Sequence, residues 1–156
     1  MKKEREITFK DLQKKVRLNS PQILKVIEAI LRHEHVDRAA LSVVFVSHQR
    51  IKALNKKFLN RDHVTDVLAF DHCDNGSIKQ KPRAIAGDII ISTDAALKNM
   101  KTYKTALPQE LALYIVHGIL HLLGYDDHKA GGIKRMRSKE QEILKSLGTK
   151  INKVVK

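Results

Sequence analysis

Residues 107–128 read LPQELALYIVHGILHLLGYDDH. Pro108 suits a helix start, where its missing N–H costs nothing, and Gly124 suits a helix stop. Between them Leu111, Leu113, Tyr114, Ile115, Val116, Ile119, Leu120, Leu122 and Leu123 are apolar on almost every side. A helix over 108–123 with no solvent face belongs at the buried centre of a domain, not on its surface. Two polar residues interrupt it, His117 and His121. Their i, i+4 spacing puts both imidazoles on one face, with Cβ atoms about 5–6 Å apart. Beyond Gly124 the chain turns back through Tyr125, Asp126, Asp127 and His128.

The flanking segments supply a sheet and further helices. Ile7 and Phe9 alternate as a first strand, with Leu12 at its end. Asn19-Ser20-Pro21 reads as a helix start with Ser20 capping, and the helix runs to about 33, burying Ile23, Leu24, Ile27, Ile30 and Leu31. ALSVVFV at 40–46 is short and β-branched, as a buried strand is. A helix over 49–58 turns Ile51, Leu54 and Phe58 inward, and a strand follows over 64–70. Residues 71–82, with Asp74-Asn75-Gly76 and Pro82, read as a loop, and 85–92 as another strand. Ser92 or Thr93 then caps a helix reaching toward 101. A last amphipathic helix over 133–147 carries Met136, Ile143, Leu144 and Leu147, Gly148 stops it, and 149–156 are expected to fray. These elements amount to one α+β domain over 1–156, a mixed sheet of about four strands around a central buried helix. A chain of 156 residues buries roughly 70% of its unfolded surface, enough for such a core.

Composition excludes several classes. The hydrophobic share of 42% is too high for a disordered chain, and no apolar run is long enough to span a membrane. The start lacks the apolar core of a secretory signal, and a lone cysteine, Cys73, cannot form an internal disulfide. A cytoplasmic protein with no membrane partner is the expectation. Thirty Lys and Arg against seventeen Asp and Glu give +13, which suits a polyanion whose condensed counterions are released on binding. The excess is concentrated at Arg50, Lys52, Lys56, Lys57 and Arg61, and again over 129–156. The alternative is a solvated, lysine-rich surface. With 4% aromatics, a nucleic acid would be held by its backbone more than by base stacking.

Two imidazoles at this spacing, a glycine stop and an Asp-Asp-His turn together favour a metal over two core histidines bonded to carbonyls. Three protein ligands with no cysteine nearby describe an open site, in which a metal-bound water becomes the nucleophile. The zinc peptidase motif needs a Glu after its first His as general base, and this chain has Gly118 there.

Residues 117–126, HGILHLLGYD, resemble the HGxLHLxGYDH signature of the YbeY family. LNKKFLNRDHVTDVLAF at 54–70 is similar to that family's LNxxYRxxDxPTDVLSF block, and AGDIIIS at 86–92 to its GDIxIS strand. The resemblance implies a zinc-dependent, single-strand-specific endoribonuclease acting in rRNA maturation at the 16S 3′ end and in ribosome quality control. It implies one Zn²⁺ per chain, and contacts with the small ribosomal subunit and ribosome assembly proteins. Carried over residue by residue, it makes His117 and His121 metal ligands. The family's third ligand is a His where this chain has Asp127, with His128 one residue on, and either can serve. The family Arg after the aromatic is Leu59 here. Arg61, two positions further, is its expected catalytic replacement, and Arg50, Lys52, Lys56 and Lys57 are expected to hold substrate. Val64 and Ala69 replace a Pro and a Ser, while Thr65-Asp66 is retained. A second reading keeps the metal as structural, in a non-catalytic ribosome assembly factor.

Overall fold

A computed structural model describes residues 4–59, 65–72 and 83–156. The chain runs β1 (Glu4–Asp11), α1 (Ser20–His33), β2 (Val36–Val46), α2 (His48–Leu59), β3 (Val67–Asp71), β4 (Arg83–Ser92), α3 (Thr93–Tyr103), α4 (Leu107–Leu122) and α5 (Ala130–Leu147), and closes in a 3-10 turn (Gly148–Lys153). The sheet order is β1-β2-β4-β3. β1 and β4 lie parallel to β2, and β3 runs antiparallel to β4, so the sheet is mixed as the sequence predicts.

Alternation divides each inner strand between two cores. Leu41, Val43, Phe45, Ile89 and Ile91 face α1, α4 and α5 in the main core. Val44, Val46, Leu68 and Ile90 face the other way and pack with Ile51 of α2. The α4 helix is buried nearly all round, as its composition demands. Its close approach to the sheet depends on Gly118, where a Cβ would meet Ile89 Cγ2 at 2.6 Å.

Four local expectations need correction. The α1 cap is Asn19, whose side chain accepts the Gln22 N–H, because Ser20 already lies inside the first turn. Phe58 does not point inward. It is 57% exposed and lies edge-on to Phe70, while Asn55 takes the buried position one turn earlier. β3 begins at Val67, and the expected start at Val64 lies outside the described residues, as do Arg61, Cys73 and 74–82. The closing segment does not fray. Ile151 and Val154 are buried, the Asn19 N–H donates to the Val154 carbonyl (2.8 Å), and the Lys156 N–H to that of Arg17 (2.8 Å). Two buried apolar side chains within four residues, with these backbone bonds, dock it. No helix among the described residues is long and apolar enough to cross a membrane.

Asp94, in the first turn of α3, ties three segments together. It accepts Lys15 Nζ at 2.7 Å and the His48 N–H at 2.7 Å. Burial alone would raise its pKa, but the Lys15 and His48 hydrogen bonds hold it below the ordinary 3.8. A carboxyl depressed in the folded state contributes stability above its ordinary value and loses it as pH falls through the folded one. Asp94→Asn should therefore lower the urea midpoint at neutral pH, with the gap from wild type closing as the pH is taken below 3.8. Ile151→Ala should cost about 2–5 kcal/mol in the same titration, the range for a buried Ile. A frayed tail would give no change.

Candidate metal centre

α4 delivers His117 and His121 to the β3 edge of the sheet, with their rings at 82° and their Nε2 atoms 2.9 Å apart. The turn after α4 brings the third donor. Gly124 takes φ 94°, and the Tyr125 N–H returns to the Leu120 carbonyl at 2.9 Å, reversing the chain. Asp126 Oδ1 accepts the His128 N–H at 2.8 Å, which fixes the turn. Asp127 Oδ2 then stands 3.5 Å from His117 Nε2 and 3.6 Å from His121 Nε2. Gly132 of α5 lets this turn pack down, since a Cβ there would run into the Asp126 carbonyl. Of the two alternatives left by the sequence, Asp127 is the one brought against both histidines. His128 has a side chain 75% exposed and lies 3.7 Å from Asp126.

The three donors fit a cation. Bonds of about 2.0–2.1 Å in a tetrahedral site put neighbouring ligand atoms about 3.3–3.4 Å apart. The observed edges are 2.9, 3.5 and 3.6 Å. His117 Nδ1 donates to Glu140 Oε2 at 2.5 Å, and His121 makes a hydrogen bond to the Tyr125 backbone. With those nitrogens occupied, both Nε2 lone pairs face one point, an arrangement that only a proton or a metal relieves. Burial would lower the His117 pKa, but the hydrogen bond and charge of Glu140, with Asp127 and Asp66 behind it, raise it. Burial and the neighbouring His117 push His121 down, against Asp127. The acids thus gather negative potential at the histidine pair. Among the described residues no further His, Cys, Asp or Glu joins this trio, which leaves a position open. His33, Glu34 and Glu142 also converge, but Lys139 Nζ already sits 3.3 and 2.9 Å from the two carboxylates.

The trio opens into a cleft of about 460 Å³, walled by Asn55 and Leu59 of α2, Asp66 and Asp71. Leu59 is therefore a cleft residue, so the departure from the family Arg falls inside the site. The Asp66 backbone carbonyl accepts the Ser92 N–H at 2.9 Å and anchors the entry to β3. Its carboxylate has no hydrogen-bond partner among the described residues. It borders the cleft and also a second concavity of about 340 Å³ beside Tyr114, Arg137 and Glu140. Lys52 shares a helix face with His48, Asn55 and Leu59, and Lys56 flanks it, whereas Arg50 and Lys57 lie on the opposite side. Gly118 faces the sheet, so a peptidase-type Glu has no room there. Glu140 is the residue that sequence reasoning missed. Its signal was present: it is a lone acid in line with Met136, Ile143 and Leu147 on the buried stripe of α5.

The family model for "Endoribonuclease YbeY" matches residues 6–148. A protein of that name from Carboxydothermus hydrogenoformans is 33% identical over 145 residues, covering 92% of this chain and 96% of its own. Another from Macrococcus caseolyticus is 36% identical over 132 residues, covering 82% and 85%. A solution structure from Thermotoga maritima shares the fold, with a TM-score of 0.61 and 24% identity over 93% of this chain and 88% of its own.

Asp127→Ala should weaken zinc binding in isothermal titration by more than His128→Ala does. Gly132→Ala, which touches no donor, should also weaken it by pushing the Asp126–Asp127 turn away. The reverse ranking of Asp127 and His128 would make His128 the third donor.

Proposed function

Because the chain belongs to the endoribonuclease YbeY family, we propose that it hydrolyses single-stranded RNA at one zinc ion held by His117, His121 and Asp127. The carrying observation is the convergence of two Nε2 atoms and one carboxylate oxygen at near-tetrahedral edges, in a cleft with room for a phosphodiester. A zinc ion bound there would act as a Lewis acid toward a phosphoryl oxygen and bring the pKa of water to about 7. The protein's own groups divide the remaining work. Glu140 keeps the proton on His117 Nδ1, so that Nε2 stays a donor, in the usual carboxylate–histidine–metal arrangement. The Asp66 carboxylate, unengaged among the described residues, accepts the proton of the attacking water. Lys52 and Lys56 flank the cleft and hold phosphates. Arg50, Lys57 and Arg61 add to the same positive field, with Arg61 taking the charge role that Leu59 cannot.

The reading extends to rRNA of the small ribosomal subunit as substrate, in maturation and quality control, in the cytoplasm and beside assembly proteins. Its support is the family's signature blocks at 54–70, 86–92 and 117–126, with a net charge of +13 suited to a polyanion. Three donors and an open cleft favour catalysis over a structural metal, which normally has four protein ligands.

His117→Ala and His121→Ala should each lose zinc by metal analysis, and lose cleavage of a structured rRNA fragment, while keeping the wild-type far-UV spectrum. Glu140→Gln should retain both at a level roughly 10–100-fold down, as loss of a partner behind a ligand histidine usually does. Wild-type cleavage by His117→Ala would end the proposal. Metal-dependent folding with no cleavage under any divalent ion would favour the assembly-factor reading.

A further inference from the structure

A larger concavity, about 900 Å³, lies along α3 on the other side of Thr65 and Asp66 from the histidines. Those two residues line both hollows, so the groove adjoins the metal cleft. Its charged lining is Lys15, His48, Asp66, Asp94, Lys98 and Lys101. Asp94 is already spent on Lys15 Nζ and His48. Lys98 and Lys101 are different. They are exposed, three residues apart on one face of α3, and among the described residues no carboxylate pairs with either. Two unpaired ammonium groups in a groove that ends at a candidate phosphodiester site present a ready seat for phosphates. Ala95 and Leu97 add apolar lining, no Phe, Tyr or Trp is present, and the His48 ring is held on Asp94, so contact would be with the backbone and would not read sequence.

We infer that the α3 groove holds the RNA strand on one side of the scissile bond, with Lys98 and Lys101 each neutralising a backbone phosphate. The inference rests on the endoribonuclease reading for its substrate. It adds a path, from Lys98 and Lys101 over Thr65 and Asp66 to His117 and Asp127, that the basic face of α2 does not supply. It also gives Asp94 a purpose: by engaging Lys15 and His48 it fixes the groove's wall and withdraws its own charge from the strand.

The test uses the full-length, zinc-loaded protein and a labelled single-stranded RNA oligonucleotide. Wild type is compared with Lys98→Gln/Lys101→Gln and with Lys25→Gln/Lys150→Gln, an equal charge loss at a separate hollow against α1. On a single strand each phosphate contact contributes about 0.7 to the slope of log affinity against log salt. The α3 pair should therefore flatten the slope by about 1.4, raise KM for cleavage and leave kcat unchanged, the signature of lost uniform binding. The Lys25/Lys150 pair should keep the wild-type slope. A wild-type slope and KM in the α3 variant, or equal flattening in both variants, would overturn the inference. RNA binding by the wild type without cleavage would overturn the nuclease reading alone, because the slope still reports the groove. No binding by the wild type would overturn both.

Discussion

At Gly118 the backbone of α4 lies against Ile89 of β4 with no room for a methyl group. That close approach sets where everything else in the site can be. A helix held this near the sheet carries His117 and, one turn on, His121 to the β3 edge, where both border the cleft with Val67, Leu68 and Ala69. The helix then stops at Leu122, and the turn after it has only a few residues in which to come back. Asp127 returns because Gly124 can take φ 94° and because Gly132 gives the turn space against α5. Close packing of apolar surface thus places polar groups that have no attraction for one another until a cation or proton joins them.

Burying a carboxylate such as Glu140 is costly unless it is paired. Its position on the apolar stripe of α5 makes sense only with His117 Nδ1 in front of it. The pair links the two helices electrostatically, and it fixes which nitrogen of His117 faces the cleft. Asp66 works from the opposite side. Its backbone secures β3 to the end of β4, while its carboxylate adds negative potential at His117 without being consumed by a hydrogen bond there. Positive charge is kept further out, on α2 and α3, away from the histidine pair.

Much of this was legible in the sequence because the strongest signals were local and periodic. The i, i+4 histidines, the glycine stop and the apolar circumference of α4 need no tertiary information. The mixed sheet follows from short β-branched runs alternating with amphipathic helices. What escaped depended on contacts between distant segments. Val154 and Ile151 look like a polar tail's stray apolar residues until α1 and the 16–18 segment are in place to receive them. Asn19 and Ser20 are equally good caps by type, and the backbone alone decides between them. Phe58 follows the helical period for burial, yet it stays exposed, touching the edge of Phe70 and lying under the Lys57 ammonium. Asp127 and His128 are both acceptable ligands by chemistry. The Asx turn at Asp126 separates them, pointing one inward and the other out.

The docking of residues 151–156 also bears on the order of events during synthesis. The Asn19 N–H and the Arg17 carbonyl, which open the path into α1, find their partners only in Val154 and Lys156. A nascent chain that has already exposed β1, α1 and β2 to solvent still has this entrance unpaired, with Leu18 waiting for Val155. Non-local closure of this kind comes late, because its loop entropy must be met before the contacts reward it. The entrance to the first helix to be made is thus among the last contacts to be sealed.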